Sequence, residues 1–385
     1  MQLRALFQGG VLSESGKNNG VTQLMSKLMV KGTSSRTGMQ IAEQMESVGG
    51  SIDAYGGNNS FGVTAEVLST DFELGMEIVG DVILNPSFPE MALGRQRDVQ
   101  IAAIKSQQDK LLHATFRLMR GKMFGAEGYG LDPLGTEETL NGFSAGDLAS
   151  FHRHLAVSNN CVLAVFGDVN PVEARAEAEK AFGLWASGNE YKTPEITTAD
   201  QGMQRTIVER DKEQGVVVVG YRSCTFYDED RFALELLSEA CSDLGSRLFM
   251  RIREELGLAY FVGAQSQPGL TPGFFAFYAG TSPEAVGQVE EELLNEAGKL
   301  RDIGLSEDEL RRSKAKIIGQ KKIARQDLGG LAVTMGLDEL FGLGYDASDH
   351  DHEKYEAITV EQTRDVAAKY FQPASCVVAV SHPPV

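Results

Sequence analysis

Three polar side chains at helical spacing are the first chemistry this sequence offers. In the stretch 18–33, Asn-Asn-Gly-Val-Thr-Gln-Leu-Met-Ser-Lys-Leu-Met-Val-Lys-Gly-Thr, residues Val21, Leu24, Met25, Leu28 and Met29 recur with the period of an amphipathic helix. Gln23, Ser26 and Lys27 fall at i, i+3 and i+4, so they share a separate stripe of that helix. A neutral amide touches a metal only weakly, a lysine ammonium repels one, and serine is a poor base near neutral pH. The histidines add little. His152 and His154 lie two apart on a predicted helix, face different directions, and are expected at the surface. His113 and His382 are isolated. Asp346, Asp349, His350, Asp351, His352 and Glu353 form a dense cluster, but they precede a helix whose N-terminus favours acids, and a solvated loop is expected.

The elements that must position these residues follow from length and pattern. A chain of 385 residues is long for one core and implies two domains. Hydrophobic content of 42% with 23% charged residues is that of a globular protein, and no run of apolar residues is long enough for a transmembrane helix. A net charge of −18 argues against nucleic acid or an anionic membrane as partner and is compatible with basic peptides. Cys161, Cys224, Cys241 and Cys376 sit in apolar surroundings without paired spacing and read as buried thiols.

The two halves read as repeats. Residues 144–165 align without a gap on 359–380: a cap residue, a helix (145–155 and 360–371), a polar turn and a strand, Cys-Val-Leu-Ala-Val in one and Cys-Val-Val-Ala-Val in the other. Each half opens with a strand (3–7 and 215–221) followed by a helix (20–30 and 230–242). Later strands are expected at 61–68 and 273–279, and long helices at 69–84, 90–110, 282–302 and 306–324. The expected fold class is α+β: two homologous duplicated domains, each a mainly antiparallel sheet with helices packed on one face. The domains are placed at 1–188 and 206–385, with 189–205 as linker.

The stretch around Gln23 resembles the zinc helix of the pitrilysin/insulinase-type peptidases, family M16. Gly20-Val21 and Lys31-Gly32-Thr33 match that family's flanks, but where the family carries His-x-x-Glu-His this chain has Gln23, Ser26 and Lys27. The family's third ligand is a Glu from a downstream helix. The matching segment here, 95–104, has Ala102 and Ala103 in the acidic positions. The resemblance therefore implies a LuxS/metallopeptidase-like fold with no metal in this chain, and Lys27 is expected to have no carboxylate or imidazole nearby to compensate it.

Two further segments carry the resemblance. Residues 244–260, Leu-Gly-Ser-Arg-Leu-Phe-Met-Arg-Ile-Arg-Glu-Glu-Leu-Gly-Leu-Ala-Tyr, match the element from which the family's second domain sends an Arg and a Tyr to the zinc site, which implies roles for Arg253 and Tyr260. A guanidinium supplies planar donors and a phenol supplies a neutral one for a developing oxyanion. Residues 49–57, Gly-Gly-Ser-Ile-Asp-Ala-Tyr-Gly-Gly, match the family's edge strand on which a peptide lies, implying substrate contacts at Ser51, Ile52, Asp53 and Ala54, with Asp53 where Asn is usual. Tyr129 and residues 130–139 match a further pattern and read as structural.

In this family two-domain chains pair into a chamber, and in one arrangement a zinc-free subunit lends Arg and Tyr to a zinc-bearing one. The resemblance thus implies a zinc-free partner subunit, or C-terminal half, of an M16 zinc peptidase. Zinc is expected in the partner, a peptide is the expected substrate, and self-association of the isolated chain stays open. The alternative is a structural or peptide-binding scaffold with no catalytic contribution. The first strand is expected almost at residue 1, where the family usually has a further segment, so the chain is expected to be part of a longer or processed polypeptide. The expected setting is a bacterial cytoplasm or periplasm.

Overall fold

The computed structural model describes residues 1–196 and 202–384, so part of the expected linker 189–205 lies outside the described residues. Its helices in chain order are α1 (Val21–Met29), α2 (Gly38–Ser47), α3 (Phe72–Leu84), α4 (Glu90–Asp109), α5 (Leu111–Phe124), α6 (Glu137–Gly142), α7 (Ala145–Leu155), α8 (Pro171–Phe182), α9 (Asp230–Ala240), α10 (Val286–Asp302), α11 (Glu307–Ala324), α12 (Leu328–Leu340), α13 (Asp351–Ala357) and α14 (Val360–Tyr370). The chain divides into two compact units, each drawn from three stretches: 1–105, 131–194 and 323–349 in the first, 106–130, 195–322 and 350–385 in the second.

The first unit holds a sheet of β1 (Gln2–Gln8), β2 (Ser51–Gly56), β3 (Ser60–Glu66) and β4 (Cys161–Phe166), in the order β2-β3-β1-β4 and antiparallel throughout. Successive side chains of a strand point to opposite faces, and nearly all of β1 is buried, so both of its faces must be covered. Leu3, Ala5 and Phe7 join Leu24, Met25, Leu28, Ile78 and Val82 in the main core. Each of these side chains other than Ala5 contributes about 1.5–3 kcal/mol when fully buried. The other face meets α12: Leu6 packs on Gly336, and Gln8 Nε2 donates to the Leu340 carbonyl at 2.6 Å. Beside it, Arg4 Nη1 donates to the Leu3 and Ala65 carbonyls at 3.0 and 2.9 Å.

The second unit holds β5 (Gln204–Glu209), β6 (Gly215–Arg222), β7 (Ala259–Gln267), β8 (Phe274–Thr281) and β9 (Val377–His382), in the order β5-β9-β6-β8-β7. Only the β5–β9 pair is parallel. β5 starts inside the stretch expected to be linker. The run Gly-Val-Val-Val-Val-Gly-Tyr makes β6 the buried centre. Val217, Val219 and Tyr221 face a core shared with Leu236, Leu237, Val289 and Leu293. The opposite face meets α5, where Thr115 Oγ1 donates to Ser381 Oγ at 2.9 Å and Arg222 Nη2 to the Met123 carbonyl at 2.7 Å. In each sheet, then, a single helix from a distant stretch of sequence covers the second face.

Without β5, the order β7-β8-β6-β9 repeats β2-β3-β1-β4, which is the structural mark of duplication. The aligned repeat holds in detail. Ser144 and Thr359 each accept the N–H of the residue three further on, and Asp147 and Gln362 return the bond, closing a capping box at the start of α7 and of α14. No helix among the described residues is long and apolar enough to cross a membrane.

Candidate functional site

The polar stripe of α1 is occupied by bonds inside the first unit. The helix starts where the buried Glu14 carboxylate accepts the N–H groups of Gly20 and Thr22, at 2.7 and 2.9 Å, and the Asn19 amide at 2.8 Å. Burial pushes the Glu14 carboxyl up, against those hydrogen bonds. One turn on, Ser26 is fully buried and donates to the Thr22 carbonyl at 2.7 Å. Gln23 Oε1 accepts the Gly56 N–H at 3.1 Å, and Lys27 Nζ lies 2.9 Å from both carboxylate oxygens of Asp53. The expectation that Lys27 lacks a compensating carboxylate is therefore corrected: Asp53 supplies it from β2. Two bonds tie the helix to the strand, and they need close contact, because a Cβ on Gly56 would stand 2.8 Å from the Gln23 Cα.

β2 lies at the edge of its sheet, as expected for residues 51–54. The Gly57 N–H bonds the Ser60 carbonyl at 2.8 Å, and the register pairs Asp53 with Thr64 and Tyr55 with Gly62. By antiparallel alternation the backbone groups of Ile52, Ala54 and Gly56 then face the open edge. The Gly56 N–H is already held by Gln23, which leaves Ile52 and Ala54. Their side chains pack toward the core, whereas Ser51 and Asp53 are exposed. Ala103 is half-buried on α4. None of Gln23, Ser26, Lys27 and Ala103 is a carboxylate, imidazole or thiolate, so as a donor set they do not suit zinc. Among the described residues no group of three or more His, Cys, Asp or Glu side chains is placed to hold a metal ion.

Arg253 and Tyr260 belong to the second unit. Residues 249–255 form a π-helix seated by the buried Leu248 and Ile252. It ends at Gly257, where φ is +65° and the N–H groups of Gly257 and Leu258 bond the Arg253 and Ile252 carbonyls at 3.1 and 2.9 Å. β7 follows at the sheet edge with a bulge at its start: Ala259 pairs with Thr281 and Phe261 with Gly280, so Tyr260 has no partner in the ladder. The Tyr260 carbonyl accepts Arg253 Nη1 at 2.6 Å, and the guanidinium carbon lies 5.0 Å from the centre of the Phe249 ring. The Tyr260 side chain is 54% exposed. Arg251 differs from Arg253 in being paired with carboxylates, Glu255 at 3.1 Å and Glu292 at 3.2 Å.

Two other expectations are corrected. His152 is buried, edge-on to Phe88 with ring centres 5.8 Å apart, and burial lowers its pKa to about 4. Its neighbours in the helix, Leu148 and Leu155, are buried as well, and that apolar spacing was the signal for an inward histidine. In the cluster 346–353, Asp351 is buried rather than solvated and pairs with Arg231 at 3.3 Å and Lys321 at 2.9 Å. The four cysteines are free thiols, three of them buried.

Comparison with known proteins places this geometry in a family. Residues 2–136 match the description Insulinase (Peptidase family M16), and residues 142–317 match Peptidase M16 inactive domain. An uncharacterized zinc protease of Mycobacterium leprae is 29% identical over 362 residues, spanning 93% of this chain and 81% of that protein. A solved peptidase M16 inactive domain from Pseudomonas fluorescens shares the fold with a TM-score of 0.91 at 19% identity, over 100% of this chain and 92% of its own. The periplasmic protease PqqL from Escherichia coli has a TM-score of 0.81 at 16% identity and is covered over 43% of its length by the whole of this chain. The chain belongs to the M16 peptidase family, whose two descriptions divide between its N-terminal and C-terminal parts.

Proposed function

We propose that this chain is a zinc-free partner subunit, or the C-terminal half, of an M16 zinc peptidase, and that it lends Arg253 and Tyr260 to a site held by the zinc-bearing partner. One contrast carries the reading. The positions that correspond to the family's zinc motif are engaged in internal bonds, Gln23 with Gly56, Ser26 with Thr22 and Lys27 with Asp53. Arg253 and Tyr260 stand exposed, with donors turned to neither a carboxylate nor the core. In this role Arg253 and the Tyr260 hydroxyl hold the peptide backbone and its developing oxyanion, while the zinc that polarises the peptide carbonyl belongs to the partner. On this reading the peptide can also lie along β2, pairing with the backbone of Ile52 and Ala54 beside Ser51 and Asp53.

The test is cleavage by the reconstituted pair. Arg253→Ala is expected to lower kcat/KM by about 10²- to 10³-fold, the loss typical of one oxyanion donor, while the zinc content of the pair is unchanged. Unaltered turnover would end this reading in favour of a scaffold without catalytic contribution. Stoichiometric zinc in the purified chain alone would end it in favour of an unorthodox metal site.

A further inference from the structure

The Arg253 guanidinium is held by two neutral groups. Its Nη1 donates to the Tyr260 carbonyl at 2.6 Å, and its carbon lies 5.0 Å from the Phe249 ring centre. No ion pair to Arg253 occurs among the described residues, although Glu254 and Glu255 adjoin it and the chain carries a net charge of −18. Glu255 is turned instead to Arg251, which also takes Glu292. A carboxylate would orient Arg253 but also neutralise it. An aromatic face and a carbonyl orient it and leave its charge for a ligand.

Both neutral partners lie on irregular backbone. On the π-helix 249–255 Phe249 and Arg253 stand four residues apart with the ring against the guanidinium, and such turns recur at functional sites. The bulge at the start of β7 removes Tyr260 from the ladder and frees its carbonyl for Arg253. Phe249 is half-buried, so the ring is anchored while the charge it carries stays exposed.

From this we infer that Phe249 is a positioning residue: it holds Arg253 as an uncompensated, preoriented cation for a substrate oxygen. The inference rests on the role proposed above for Arg253. Loss of an exposed cation–π contact corresponds to roughly a two- to fivefold effect.

The experiment is steady-state peptide cleavage by the complex of this chain with its zinc-bearing partner. Phe249→Leu, which keeps an apolar side chain, is expected to lower kcat/KM by about two- to fivefold, mostly in kcat. Phe249→Tyr is expected to retain the wild-type value, and Phe249→Leu to add nothing in an Arg253→Ala background. An equal loss from Phe249→Leu with and without Arg253 would make the ring mere packing and overturn the inference, with the role of Arg253 intact. No effect of Arg253→Ala would instead overturn the proposed function. The orientation claim is then decided on the chain alone by the Arg253 Nε–Hε resonance. A restrained signal in the wild type that averages in Phe249→Leu supports it, and identical signals overturn it.

Discussion

β2 and β7 hold the same place in two copies of one sheet order, each at the free edge, yet they are finished in opposite ways. At β2 the neighbouring helix is bonded to the strand through Gln23–Gly56 and Lys27–Asp53. At β7 the bonds run within the preceding π-helix and the bulge, and they leave the Arg253 cation and the Tyr260 side chain exposed. A duplicated scaffold can thus bond one edge strand to its helix through side chains and present side-chain donors at the other. The difference lies in polar residues beside β2 and in irregular backbone, a π-helix and a bulge, beside β7.

Arg253→Ala is the strongest way to break the comparison. A loss of about 3–4 kcal/mol in transition-state stabilisation of the pair is expected, read from kcat/KM. Should Arg253 contribute no more to the reaction than the internally bonded Gln23 and Lys27 beside β2, no such loss appears.

The second test concerns pH and the first unit alone. His152 is neutral when folded, with its pKa lowered by burial to about 4 from the ordinary 6.5. Between those values the unfolded chain binds the proton and the folded one does not. The contribution to stability is therefore complete above about pH 6.5 and lost as pH falls toward 4, roughly 3 kcal/mol over the window. Urea unfolding against pH measures it. His152→Leu is expected to flatten that slope, and an unchanged slope would show that the imidazole is not the group responsible.

Gly56→Val tests the closure of β2 itself. The added side chain meets the Gln23 backbone and must part helix from strand, at a cost of about 1–3 kcal/mol in unfolding free energy. A neutral result would mean that the two are not held in contact. Lys27→Met should do least, less than about 1 kcal/mol, because Asp53 is 68% exposed and water screens the pair. A larger loss in denaturant titration would mark Lys27–Asp53 as more than a surface ion pair.

Much of this was legible in residue order. The helix 145–155 is found where its cap and apolar spacing put it, and α1 and α14 lie within a residue of expectation. The site was legible in part. Phe249 and Arg253, four apart on a helix, could have been paired from their spacing, as the inward turn of His152 could have been read between Leu148 and Leu155. Nothing near Lys27 in the chain announced Asp53, and nothing near Asp351 announced Arg231 or Lys321.

By itself the sequence determined the local elements, their caps, the duplication and the absence of carboxylate, imidazole and thiolate at positions 23, 26, 27 and 103. Those follow from propensity, period and residue type, which act over a few neighbours. Only the tertiary structure decided that α5 and α12 cover the second faces of the sheets, that Asp53 answers Lys27, and that a bulge frees the Tyr260 carbonyl for Arg253. Those depend on strand register and on contacts between distant stretches, which folding sets through burial of the whole core.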